Sequence, residues 1–110
     1  MSAGLSQDTA RPIKGLLVAS TRPPVVEIDT EATATYVRFG RGRVARTEPY
    51  GGAESLVMVD YDRRGRVLGI EFIGRKKFNV GELLGDIPVS LPKSSLDRAR
   101  YVAADLAKKG

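Results

Sequence analysis

The chain contains no cysteine, no histidine and no tryptophan. Without cysteine there is no disulfide framework, no thiolate metal site and no cysteine nucleophile, a composition that suits a reducing compartment. Without histidine the usual acid/base of neutral pH is missing as well. Aromatic residues are scarce, three Phe and four Tyr, so the core must be mainly aliphatic. Long apolar runs are lacking too. The longest near the start, Leu16 to Ala19 between Lys14 and Arg22, is far shorter than a signal-peptide core or a membrane span. The expectation is a cytoplasmic protein with no membrane partner.

What remains is an ordinary globular balance. At 110 residues, with 42% hydrophobic and 28% charged positions, the chain suits one domain able to bury its own core. Eighteen Lys and Arg against thirteen Asp and Glu give a net charge of +5, a mild pull towards polyanions.

Hydrophobic periodicity divides the chain. Residues 1–24 read as a flexible arm with one apolar patch, Ile13 to Ala19, suited to docking on the body. Pro23-Pro24 forbids helix and leads extended into a first strand, Val25 to Asp29. Thr35, Val37 and Phe39 share one face of a second strand. A third runs from Val44 to Glu48 and a fourth from Leu56 to Tyr61. A fifth, Arg66 to Ile73, carries Leu68, Ile70 and Phe72 on one face and Val67 on the other. Asp62-Arg63-Arg64-Gly65 has the chemistry of a hairpin turn, with Gly65 at positive φ. The remaining breaks are also short enough for hairpins, so the simplest reading is an antiparallel meander over 25–73.

Residues 74–93, rich in Pro and Gly but holding Phe78, Leu83, Leu84, Ile87 and Val89, read as an irregular packed cover. Ser94 stands three residues before Asp97 as an approximate capping box. Leu96, Ala99, Val102, Ala103 and Leu106 recur at helical spacing, predicting one helix over 94–109 that packs on the sheet. The fold class is therefore α+β: a meander of about five strands, a cover and a C-terminal helix, forming a single domain over 25–110.

The meander residues also carry a family pattern. Asp29, Ala32, Ala34-Thr35-Tyr36-Val37, Thr47-Glu48 and the run Val59 to Glu71, VDYDRRGRVLGIE, stand where that pattern has them. The chain resembles the small bacterial family catalogued as domain of unknown function 2283, over residues 25–73. The resemblance implies a small antiparallel sheet and transfers no catalytic residue. Arg63-Arg64 occupies a turn that is often acidic in that pattern.

Among candidate sites, Asp60, Asp62, Gly65 and Glu71 match positions of a calcium loop, but Arg64 stands where a ligand is needed and both flanks are strands rather than helices. Neither a metal nor a cofactor is expected. Carboxylates for acid/base work would have to come from Glu27, Asp29, Glu48, Asp60 and Glu71, for which cross-strand pairing with arginine is the simpler role. Geometry sharpens one other cluster. Alternate turns of a meander lie at one end of the sheet, which gathers Arg22, Arg41, Arg43, Arg63, Arg64 and Arg66 there. Glu31, Glu48, Glu54 and Arg75-Lys76-Lys77 fall at the opposite end. The leading reading is a non-catalytic interaction module whose partner is an unknown protein or a second copy in a homodimer. The alternative is a nucleic-acid-associated accessory protein that binds phosphates weakly through the arginine end. A third is a small enzyme using strand carboxylates such as Glu71.

Overall fold

The computed structural model describes residues 16–74 and 79–104. In chain order the elements are β1 (Val25–Asp29), β2 (Ala34–Arg38), β3 (Arg46–Pro49), β4 (Val57–Tyr61), β5 (Val67–Ile73), α1 (Val80–Leu83), α2 (Lys93–Asp97) and β6 (Arg100–Ala103). The strands form one mixed sheet in the order β3-β4-β5-β2-β1-β6, giving a small α+β fold. Two hairpins behave as the alternation predicts. β1 pairs with β2 in register Val26↔Val37, and β4 pairs with β5 in register Val59↔Ile70. The β4–β5 turn closes with the Asp62 amide donating to the Arg66 carbonyl at 2.9 Å, and Gly65 takes φ +80°.

The strand order differs from a simple meander. β2 lies beside β5, through Val37↔Ile70, and not beside β3. The chain leaving β2 must therefore pass across the ends of β5 and β4 before it can pair as the edge strand β3. Strand directions are unaffected, because β3 to β5 and β2 remain antiparallel to each neighbour.

A second difference lies in β5. The β4–β5 register shifts beyond Asp60↔Gly69, so that Tyr61 pairs with Val67 and Leu68 is the extra residue of a bulge. The bulge reverses the alternation. Val67 joins Val59, Ile70 and Phe72 in the core cluster, whereas Leu68 is buried outside it. The strand therefore has a single core face, and the second apolar face implied by strict alternation is not present.

The C-terminal region departs furthest from expectation. Helix α2 ends at Asp97, its N-cap is Pro92 with no side-chain capping bond, and Asp97 is paired instead with Lys93 at 3.3 Å. Residues 100–103 form β6, parallel to β1 in register Val26↔Tyr101. β1 has an open edge whose backbone groups need partners, and Tyr101-Val102 are good strand formers, so ladder pairing overrides the helical spacing. The rest of the expected helix, with Leu106, lies outside the described residues, as do residues 1–15 and the Arg75-Lys76-Lys77 run.

The core face is covered by residues 79–99. Val80, Leu83, Leu84 and Ile87 belong to the buried cluster, with Leu91, Leu96 and Ala99 packed against it. The Asn79 side chain caps α1 by accepting from the Gly81 and Glu82 amides, and the Tyr101 hydroxyl accepts from the Val80 amide at 3.0 Å. Part of the expected arm is ordered here too: Leu16 bridges Val89, and Val18 bridges Val67.

On the opposite face, Tyr36 lies over Gly69. A Cβ at Gly69 would overlap the phenol ring, so glycine is required there by close approach. Gly69→Ala should force the ring off Asp60 and destabilise the fold by about 1 to 3 kcal/mol. In a Tyr36→Ala background the same change should cost clearly less, because the overlap is gone. Equal costs in the two backgrounds by urea titration would show that ring and backbone do not meet.

Thr35 is fully buried and its Oγ1 has no hydrogen-bond partner. Thr35→Val keeps the shape and removes the orphaned hydroxyl, so it should be neutral or stabilising by up to about 2 kcal/mol. A loss of stability in the same titration would mean that the hydroxyl has a partner in solution.

Candidate nucleic-acid interface

The arginine end is assembled by the crossing connection between β2 and β3. As it leaves β2, the amides of Phe39 and Gly40 both donate to the Leu68 carbonyl, at 2.8 and 3.2 Å. As it reaches β3, the Ala45 amide donates to the Tyr61 carbonyl at 2.8 Å. Between these anchors Gly40-Arg41-Gly42-Arg43 runs beside the β4–β5 turn. Leu68, turned out of the core by the bulge, lies beneath it: its Cδ2 is within 4 Å of where a Cβ on Gly40 or Gly42 would stand. Gly42 has φ +135°, a conformation that favours glycine.

Connection and turn enclose a cleft of about 620 Å³ lined by Arg41, Gly42, Arg43, Asp62, Arg63, Arg64 and Arg66. Five of the six arginines singled out in the sequence thus share one cleft. Arg22 does not line it; it precedes β1, two strands from β5. Asp62 organises the turn. Its Oδ1 accepts from the amides of Arg64 and Arg66 at 2.8 and 2.9 Å, and its Oδ2 accepts from Arg66 Nε at 3.0 Å. The Arg66 amide, with the Arg64 amide and the Arg66 guanidinium, holds the Asp62 carboxyl below its ordinary value of 3.8. Among the described residues no acid pairs with Arg41, Arg43, Arg63 or Arg64.

Sequence reasoning missed Arg46, Arg98 and Arg100 at this same end. Arg46 opens β3 but is engaged, paired with Glu48 at 2.7 Å and lying over the Tyr61 ring at 4.3 Å. Arg98 and Arg100 were hidden by the helical spacing of their neighbours. The signal that could have placed them is the strand-favouring Tyr101-Val102 pair that follows.

Three of the strand carboxylates are engaged by neighbouring side chains, and Glu71 lies opposite Tyr36 on the open face. Glu48 is on the core-facing side with Arg46, and Glu27 is held by Arg38 through contacts of 2.7 and 3.3 Å. Asp60 accepts from the Tyr36 hydroxyl at 2.8 Å and from Thr47 Oγ1 at 2.5 Å. Arg38 also lies over the Tyr36 ring at 5.0 Å. A continuous polar chain therefore crosses the open face from β1 to β3. Among the described residues no three acidic groups are placed to hold a metal ion. The opposite sheet end carries Asp29, Glu31 and Glu54, and no helix among the described residues is long and apolar enough to cross a membrane.

No protein-family model, no curated protein and no solved structure matches the chain.

Burial, and then the bond to Asp60, raise the Tyr36 hydroxyl well above its ordinary value of 10.0. Below pH 10 folded and unfolded chains both keep this proton, and the contribution is fully present. Above pH 10 the unfolded chain ionises first, so stability should fall as pH rises further. Subtracting the phenolate absorbance titration of Tyr36→Phe from that of the wild type isolates this group. Its ionisation should coincide with alkaline unfolding; a titration near pH 10 with the fold intact would exclude the Asp60 bond. Tyr36→Phe should itself cost about 1.5 to 3 kcal/mol, as for a hydrogen bond to a charged group.

Proposed function

We propose that this protein is a non-catalytic binding module that grips the phosphodiester backbone of nucleic acid in its arginine cleft. The observation that carries this reading is the meeting of two loops that present Arg41, Arg43, Arg63 and Arg64 with no acidic partner among the described residues. Guanidinium is suited to phosphate, since its planar fork donates two parallel hydrogen bonds and its charge persists at every physiological pH. Clustering four such groups costs little in water, about 0.5 kcal/mol for each pair roughly 8 Å apart. The six pairs sum to about 3 kcal/mol before salt screening, which two charge-assisted phosphate contacts of about 1.5 to 3 kcal/mol each offset.

Among the described residues no aromatic side chain lines the cleft, so base stacking has no platform there and binding is to backbone, with little dependence on sequence. The reading of a protein partner or a homodimer has less support. The open sheet face is occupied by its own polar chain, and the exposed apolar residues Leu17, Val44, Leu56, Ile73 and Tyr101 belong to separate elements of the fold. A cytoplasmic location belongs to this proposal and is supported by the absence of cysteine.

Fluorescence anisotropy with short duplex and single-stranded probes tests the proposal. Affinity should fall linearly on a log-log plot against salt. Arg63→Ala and Arg64→Ala should each weaken binding to every sequence and reduce the salt slope by about one. No binding at low salt, or an unchanged curve for the double variant, would remove the proposal.

A further inference from the structure

The sheet end that carries the cleft holds a second group of arginines. β6 runs parallel to β1, so it starts where β1 starts, at the cleft end of the sheet. The Arg100 amide donates to the Pro24 carbonyl at 3.0 Å, and the Ser95 hydroxyl donates to the Thr21 carbonyl at 2.5 Å. These two bonds clamp the chain on either side of Arg22 against the segment that carries Arg98 and Arg100. All three side chains belong to exposed residues, and none has an acidic partner among the described residues. The nearby Asp97 is already paired with Lys93.

The two groups are set apart by the sheet itself. The start of β5 and the start of β6 are separated by β2 and β1, three strand spacings or about 14 Å. The end of β4 is one spacing further, about 19 Å from β6. Phosphates rise by about 3.4 Å each along the axis of B-form DNA, so this distance covers roughly four to six phosphate steps of a duplex strand and fewer steps of an extended one. One phosphate, or a nucleotide in the cleft, cannot reach both groups.

We propose that Arg22, Arg98 and Arg100 form a second backbone contact on the same track as the cleft, and that the ligand is an extended nucleic-acid strand with enough consecutive phosphates to span the roughly 14 to 19 Å between the two groups. The inference rests on the proposed role of the cleft and adds to it a length requirement. Guanidinium groups at both stations can each grip a phosphate through two parallel hydrogen bonds, and since the same fork also fits a carboxylate, the comparison with polyglutamate separates the two.

The test compares a dinucleotide with a single strand of about twelve nucleotides, each measured against wild type, Arg98→Ala/Arg100→Ala and Arg63→Ala/Arg64→Ala by anisotropy over a series from low to moderate salt. Arg98→Gln/Arg100→Gln, checked by circular dichroism, guards against loss of β6. The expected result is that either change at 98 and 100 weakens the long strand about tenfold or more and lowers its salt slope by about two, with the dinucleotide unaffected. Arg63→Ala/Arg64→Ala should weaken both probes. If the folded Gln variant binds the long strand like wild type, or loses both probes equally, the second contact is excluded while the cleft stands. If Arg63→Ala/Arg64→Ala changes neither probe, the cleft reading itself fails. Polyglutamate of similar length binding as tightly, with the same dependence on Arg98 and Arg100, would overturn the assignment to phosphate.

Discussion

Leu68 is the residue of β5 that finds no partner in β4, and the arrangement of the arginine end depends on it. Were the ladder regular, Val67 would face away from the core and Leu68 towards it. The bulge instead places Val67 in the core and frees Leu68 to support the connection that carries Arg41 and Arg43. The Leu68 carbonyl takes two amides from that connection, and Val67 exchanges bonds with Leu17 and Ala19 on the side where β2 has ended. One extra residue thus completes the backbone bonding at the end of β5 and fixes the roof of the cleft.

A second constraint ties the sheet together across its open face. Tyr36 reaches over Gly69 to Asp60, so a side chain of β2 is bonded to β4 across the full width of β5. Glu27 and Thr47 extend the same chain to β1 and β3. Two of the strand acids, Asp60 and Glu27, are thereby engaged internally. Asp60 and Glu27 each satisfy donors that would otherwise be stranded on a half-buried surface, which is a structural role and leaves neither in the arrangement of a general acid/base pair.

The hairpins and the antiparallel directions of β1 to β5 were legible in the sequence because both follow from alternation and short turns, whereas the parallel β6 that makes the sheet mixed was not. The grouping of the arginines at one end survived a wrong strand order for a definite reason. In an antiparallel set the end at which a loop emerges depends on strand direction, and inserting β2 beside β5 leaves every direction unchanged. Strand order was not legible, since period-two patterning says which face a residue takes and nothing about which neighbour it meets. Yet the order is what brings the 40–43 connection against the 62–66 turn; in a simple meander two strands would separate them. The bulge was invisible because Val67 and Leu68 are equally apolar. β6 was lost to a helical spacing that competes with the open edge of β1, a tertiary demand that no local window records.

Asp62 shows how the cleft keeps its charge while its turn stays ordered. The turn needs an acceptor at its first position, and a carboxylate supplies it while also holding Arg66. The lining therefore carries five guanidinium groups and one carboxylate, a net charge of 5 − 1 = +4. At physiological salt the Debye length is about 8 Å, so these charges act on an approaching phosphate as one group. Arg22, Arg98 and Arg100, about 14 Å away along the sheet end, lie beyond that range. The two groups consequently do not share a field in solution. They are joined only by a ligand long enough to touch both, and the second contact then forms at the high effective concentration set by the strand that links them. Length selectivity follows from the spacing of strands in the sheet, with no need for any residue that reads a base.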